Sequence, residues 1–216
     1  GQIINIADTG LDTGRDYPQV IGDIHRDVDN RVDHIDPWPM SDLYYQYLMN
    51  PLDDDGADDQ SSGHGTHVAG TVAGNGYRSQ GRYRGVAYRA TLTFQALEQY
   101  CRFSAAGHGQ GYGDGYMLAG IPSDLGELYD QAYNWGARIY NNSWGTDHVG
   151  QGVYTVQCQQ TDRFVWEHRD TSIVFAVGNE GRDDNHDGFV DYGSILPPAT
   201  AKNIIAVGAT ENRRPN

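Results

Sequence analysis

Lysine is almost missing from this chain: Lys202 stands alone against 14 arginines. Glutamate is nearly as scarce, with five residues against 24 aspartates. The 15 basic and 29 acidic side chains leave a net charge of −14. That balance argues against polyanionic partners, so neither nucleic acid nor an anionic membrane surface is expected to bind. No apolar run approaches the ~18–20 residues of a membrane-spanning helix, which excludes such a span. No basic-then-apolar leader opens the chain, which puts any signal peptide outside it. Cysteine occurs twice, at Cys101 and Cys158. The pair can form one disulfide or stay as two thiols, and two residues do not fix a redox compartment.

What is present is aspartate and glycine. Aspartate favours caps and loops over helix interiors, and short carboxylates crowded in loops suit hard cations such as calcium. The 28 glycines in 216 residues exceed the usual share of about 7%, so tight turns or close backbone approaches are numerous. The length gives room for about one domain, and hydrophobic residues at 38% are enough for a packed core.

Gln2–Ala7 (QIINIA) is a short apolar run that reads as a buried strand delivering Asp8 at its C-terminal end. Residues 11–60 are polar and acidic and read as loops, with one short helix over 41–49. His64–Ala73 reads as a helix stopped by Gly74-Asn75-Gly76. Thr91–Leu97 reads as a strand, followed by the glycine-rich stretch 107–115. A helix opens at Pro122-Ser123, carries Asp124 and Glu127 in its first turn and ends at Gly136. Strands at Ala137–Asn142, Ser172–Val177 and Asn203–Val207 and a helix over 155–169 complete the pattern. Strands alternating with helices predict an α/β fold, a doubly wound and mostly parallel sheet with helices on both faces. Ligands of such sheets sit at the C-terminal ends of the strands, where Asp8, residues 141–145 and Gly178-Asn179 all fall, while His64 opens a helix.

Asp8 and His64 suit one another. A carboxylate bonded to one ring nitrogen fixes the tautomer and stabilises the imidazolium, leaving the other nitrogen to take a proton from a hydroxyl. Asn179, between Gly178 and Gly181, can point an N–H donor into a cleft and stabilise an oxyanion. A lone histidine or aspartate is more often structural; the three motifs together reverse that.

ADTG at 7–10, HGTHVAG at 64–70, NNSWG at 141–145 and GNEG at 178–181 resemble, in order, the aspartate, histidine, substrate-strand and oxyanion motifs of the subtilisin-like serine proteases, the subtilases. Residues 134–145 and 198–211 are most similar to the large bacterial alkaline members. The resemblance implies a serine endopeptidase in which Asp8 orients, His64 is general base and then acid, and Asn179 donates to the oxyanion. It implies that Ser143, Trp144 and Gly145 offer backbone to an extended polypeptide substrate by adding a strand. Ala176, Val177 and Gly178 would form a wall of the specificity pocket, and Gly111 and Gly113 the opposite edge of the channel. It also implies secretion to the extracellular space, where a Cys101–Cys158 disulfide could form.

The family's G-T-S nucleophile motif does not occur in these residues. Residues 1–216 therefore read as the N-terminal portion of a single catalytic domain, incomplete at its C-terminus and inactive alone. The missing C-terminal part, covalent or on a separate chain, would be its partner and would cover apolar surface left by the unfinished sheet.

Asp183–Asp191 fits D-x-N-x-D-G-x-V-D, with oxygen ligands at alternate positions and a turn glycine, as a wrapped calcium ion needs. Side chains of Asp183, Asn185, Asp187 and Asp191 and the carbonyl of Phe189 would bind calcium. Ser194 replaces the EF-hand's terminal glutamate, so the loop is EF-like only. DDDGADD at 53–59 is a weaker candidate. His64 and His67 lack zinc spacing and a third ligand. An aspartic protease is a rival, since D-T-G recurs at 12–14, but four residues cannot separate two facing lobes. A calcium-dependent peptide-binding module or pseudoprotease is the non-enzymatic alternative.

Overall fold

The computed structural model describes residues 1–12, 24–146 and 150–210. Most of the second D-T-G and the last six residues of the chain lie outside that set. The chain divides into two compact units, Gly1–Asn141 and Asn142–Asn216, and each is taken in turn.

The first unit is built on β1 (Ile3–Asp8), β2 (Val32–Pro37), α1 (His64–Ala73) and β3 (Thr91–Ala96). It continues through β4 (Gln99–Cys101), α2 (Ala105–Gly109), β5 (Gly115–Met117), α3 (Leu125–Asn134) and β6 (Ile139–Asn142). Its sheet runs β2-β3-β1-β6. β1 pairs in parallel with β3, Ile3 opposite Thr91 and Asp8 opposite Ala96, and β2 also runs parallel to β3. From β1 the chain crosses to the edge at β2, comes back to fill the place beside β1 with β3, and passes to the other side of β1 with β6. β1 is where the winding reverses, and the crevice beyond a strand's C-terminal end at such a reversal is the usual ligand position. Asp8 sits at that end.

Ile4, Ile6, Leu92 and Phe94 pack with Ala69 and Ala73 of α1 and with Leu11, Val28 and Val32. Each large side chain so buried contributes about 1.5–3 kcal/mol. A polar ladder crosses this core fully paired. Thr93 Oγ1 donates to Asn5 Oδ1 at 2.9 Å, Asn5 Nδ2 to Gln95 Oε1 at 2.8 Å, and Gln95 Nε2 to the Leu128 carbonyl of α3 at 2.9 Å. Asp124 is the N-cap of α3, accepting from the Gly126 N–H at 2.9 Å; the sequence put it one position inside.

Two expectations fail here. Residues 11–60 are not all loop, for β2 lies within them, and the expected helix over 41–49 shrinks to a 3-10 turn at Tyr45–Tyr47. The glycine-rich stretch 107–115 carries regular structure. It begins inside α2 and runs to the antiparallel β4–β5 hairpin, closing a second small core of Met40, Leu48, Cys101, Phe103 and Ala119.

The second unit holds α4 (Val156–Glu167), β7 (Ser172–Ala176) and β8 (Ile205–Val207). β7 and β8 are parallel, Val174 opposite Ile205. Thr155 caps α4 by accepting from the Cys158 N–H. Phe175 meets the Trp144 ring edge to face at 5.1 Å. The mostly parallel α/β fold read from the sequence is the fold observed.

Candidate active site

Asp8 is 1% exposed at the end of a strand whose neighbours bury it, and its Oδ1 lies 2.6 Å from His64 Nδ1. The Thr9 N–H donates to the same oxygen at 2.8 Å. Oδ2 is buried with no partner among the described residues. Burial pushes the Asp8 carboxyl above its ordinary value, and the hydrogen bonds from His64 and Thr9 pull part of the way back. With Nδ1 held by the carboxylate, Nε2 is the ring's free nitrogen, and half of the His64 side chain, 50%, is open to solvent.

Three further residues fix this pair. The Thr9 hydroxyl donates to Asp59 Oδ1 at 2.8 Å and accepts from the Gly65 N–H at 2.8 Å. Asp59 Oδ2 accepts the Thr66 N–H at 2.8 Å. Asp59 therefore closes the first turn of α1, where amide protons lack intrahelical partners and a negative charge is favoured. Gly65 has to be glycine, because an added Cβ would run into the backbone of Gly10 and, at 2.9 Å, the Phe94 ring. The sequence placed Thr9 only within the ADTG motif and Asp59 only within the weaker calcium candidate at 53–59, and it linked neither to the other. A partner 50 residues away leaves no periodic signal, and Asp59 was submerged in an acidic run. His67, one turn on, is exposed.

In the second unit, Trp144 is buried against Phe175, Ser143 is half-buried and Gly145 exposed. Val177 spends its backbone on neighbours, its N–H donating to the Val207 carbonyl at 3.1 Å and its carbonyl accepting from the Leu196 N–H at 3.0 Å. Ala176, Val177 and Gly178 are half-buried. Gly178 has φ of +100°, and a Cβ there would meet Leu196 Cδ1 at 2.7 Å. That turn leaves Asn179 exposed. Gly111 and Gly113 are exposed in the turn between α2 and β5, in the first unit.

Around Asp183–Asp191, Asp183 accepts from the Asp187 and Gly188 N–H groups at 3.0 and 2.9 Å. Asn185 Oδ1 accepts from Asp187 and Asp187 Oδ1 from Phe189, both at 2.9 Å. Asp191 accepts from the Asp184 N–H at 2.8 Å. The side chains turn onto the loop's own backbone. As placed, no three His, Cys, Asp or Glu side chains among the described residues could hold a metal ion. Of the two states the sequence left open for the cysteines, the structure has the thiols: both are free and buried. Burial, aided by the Asp55 charge, pushes the Cys101 thiol up to about 11.

The Peptidase S8 model, describing the subtilase family, matches residues 1–216. The chain belongs to the subtilase family. This subtilase chain is 31% identical over 227 residues to a serine protease/ABC transporter B family protein, tagD of Dictyostelium discoideum, covering 98% of the chain and 10% of that protein. It is 26% identical to the thermophilic serine proteinase of Bacillus sp. (strain AK1), covering 98% of the chain and 39% of the proteinase. Among solved structures, the S218A mutant of the PatA protease domain matches with a TM-score of 0.53 at 20% identity, over 98% of this chain and 58% of that one. That likeness bears on the fold. The subtilase chain spans only part of each relative.

Proposed function

We propose that this subtilase chain carries the acid–base half of a serine endopeptidase acting on extended polypeptides. The observation that carries the reading is the 2.6 Å contact between Asp8 and His64 Nδ1. His64 Nε2 takes the proton of an attacking serine hydroxyl, and the Asp8 carboxylate stabilises the imidazolium that results. His64 then returns the proton to the leaving amine. Asn179 donates to the oxyanion. Ser143, Trp144 and Gly145 supply an edge for the substrate backbone, Ala176–Gly178 a pocket wall, and Gly111 and Gly113 the far rim. The nucleophile comes from polypeptide outside these residues, linked covalently or as a separate chain, since no G-T-S occurs within them.

The test has two arms. Residues 1–216 alone should not cleave a peptide in a manner blocked by serine-directed inhibitors. In the natural full-length polypeptide, His64→Ala should abolish cleavage, and Asn179→Ala should lower kcat about 10²–10³-fold, the range for such a donor in a member of this family. Cleavage by 1–216 alone, or an unaffected kcat in His64→Ala, would sink the reading.

The same proposal includes calcium at Asp183, Asn185, Asp187, Phe189 and Asp191. The fit is partial: the oxygens alternate as a wrapped ion needs, yet they are drawn onto loop amides rather than arranged as a cage. Calorimetry should show calcium uptake that Asp187→Ala removes. Uptake unchanged by that substitution would reject this loop.

A further inference from the structure

Glu98 is the buried titratable group that the proposed chemistry leaves unused. It is 6% exposed, two residues beyond β3. Its Oε1 accepts from the Ser61 hydroxyl at 3.0 Å, and its Oε2 is buried with no partner among the described residues. An ionised oxygen in that state is costly unless a donor reaches it. The nearby charges are of the wrong sign. Asp59 and Asp55 both add to the burial that pushes Glu98 up, and Asp55 is itself pushed up, by burial first and then by Asp54 and Asp58. Asp55 Oδ2 accepts from the Tyr100 N–H at 3.0 Å. The Tyr100 and Tyr116 rings meet edge to face at 5.1 Å, both partly exposed. Tyr116 donates to Gln60 Oε1 at 2.8 Å.

This group adjoins the Asp8–His64 pair. The Glu98 N–H donates to the Thr9 carbonyl at 3.1 Å, and Asp59 binds the Thr9 hydroxyl. Thr9 follows Asp8 directly.

We propose that Glu98, Asp55 and Asp59, beside the Tyr100–Tyr116 ring pair, receive an arginine side chain of the polypeptide substrate close to the bond to be cut. A guanidinium suits these acids, for it is planar, carries five donors in a fork and stacks on aromatic faces. It would donate to Glu98 Oε2, with the exposed Ser61 side chain giving way. The acidic surface also steers a basic peptide toward the site. The proposal rests on the catalytic reading only for the place of this arginine relative to the scissile bond.

The test measures binding, which needs no nucleophile. Capped Ala-Ala-Arg-Ala is titrated into the full chain beside the same peptide with citrulline, which keeps the shape and removes the charge. The arginine peptide should bind at least about tenfold tighter at low salt, the least that one charge-assisted hydrogen bond contributes. The ratio should fall below about threefold in Glu98→Gln and in Asp55→Asn, each first shown to be folded by circular dichroism. Asp55→Asn carries the test alone if Glu98→Gln does not fold. Equal binding of the two peptides by the parent chain would overturn the proposal. So would a tenfold ratio that survives the substitutions, or calcium uptake lost in Glu98→Gln without discrimination between the peptides. A tenfold ratio with His64→Ala leaving cleavage unaffected would strike the catalytic reading and leave this site standing.

Discussion

Asp8 shows how one residue can be costly to the fold and indispensable to the proposed chemistry. Its burial raises the carboxyl's pKa, so folding favours the protonated form. That contribution is fully present below the unfolded value of about 3.9 and is lost as pH rises through the raised folded value. Asp8→Asn has no such titration. The melting temperature of the variant minus that of the parent should therefore move in the variant's favour between about pH 4 and pH 7, read by calorimetric scans. A difference that is flat or moves the other way would contradict the assignment. Asp8 was legible in the sequence because an apolar run ended on it. Its Oδ2, buried without a partner among the described residues, was not, since that depends on which segments crowd the strand end.

At the scale of elements, the start of α1 is fastened from a distance. Asp59 closes its first turn and grips the Thr9 hydroxyl, so strand and helix are tied through one carboxylate. Asp59→Ala should cost about 0.5–2 kcal/mol, the range for losing a side-chain acceptor at a helix N-terminus, with a correspondingly lower midpoint in urea. It should also displace His64 and reduce cleavage by the full-length polypeptide. Asp59→Asn, which keeps an acceptor, should lose less. Strong elements such as β1, β3, α1 and α3 were read from period and caps. β2 was missed for a physical reason: as an edge strand it pairs on one side only, exposes Asp33 and His34 and ends on Pro37, so it carries no run of apolar residues. β4 and β5 have three residues each, too few for any period to register.

For the molecule as a whole, net charge and an open edge pull in opposite directions. β8 is an outer strand with Ile205 54% and Val207 48% exposed, a surface that invites pairing or cover. A charge of −14 holds copies apart at low ionic strength. Association of the isolated chain should therefore grow with salt, as screening shortens the reach of repulsion, and Ile205→Lys should suppress it. Analytical ultracentrifugation at two salt concentrations reads both effects. Association that weakens with salt would show charge pairing, not apolar cover, to be the cause.

Motif residues at strand and helix ends, the α/β alternation and the family all follow from the order of residues, because each depends on neighbours a few positions apart. The clamp through Thr9 and Asp59, the stranded oxygens of Asp8 and Glu98 and the two free thiols were decided only when distant segments met. Burial and missing donors are properties of a packed surrounding, and no local stretch of chain contains them.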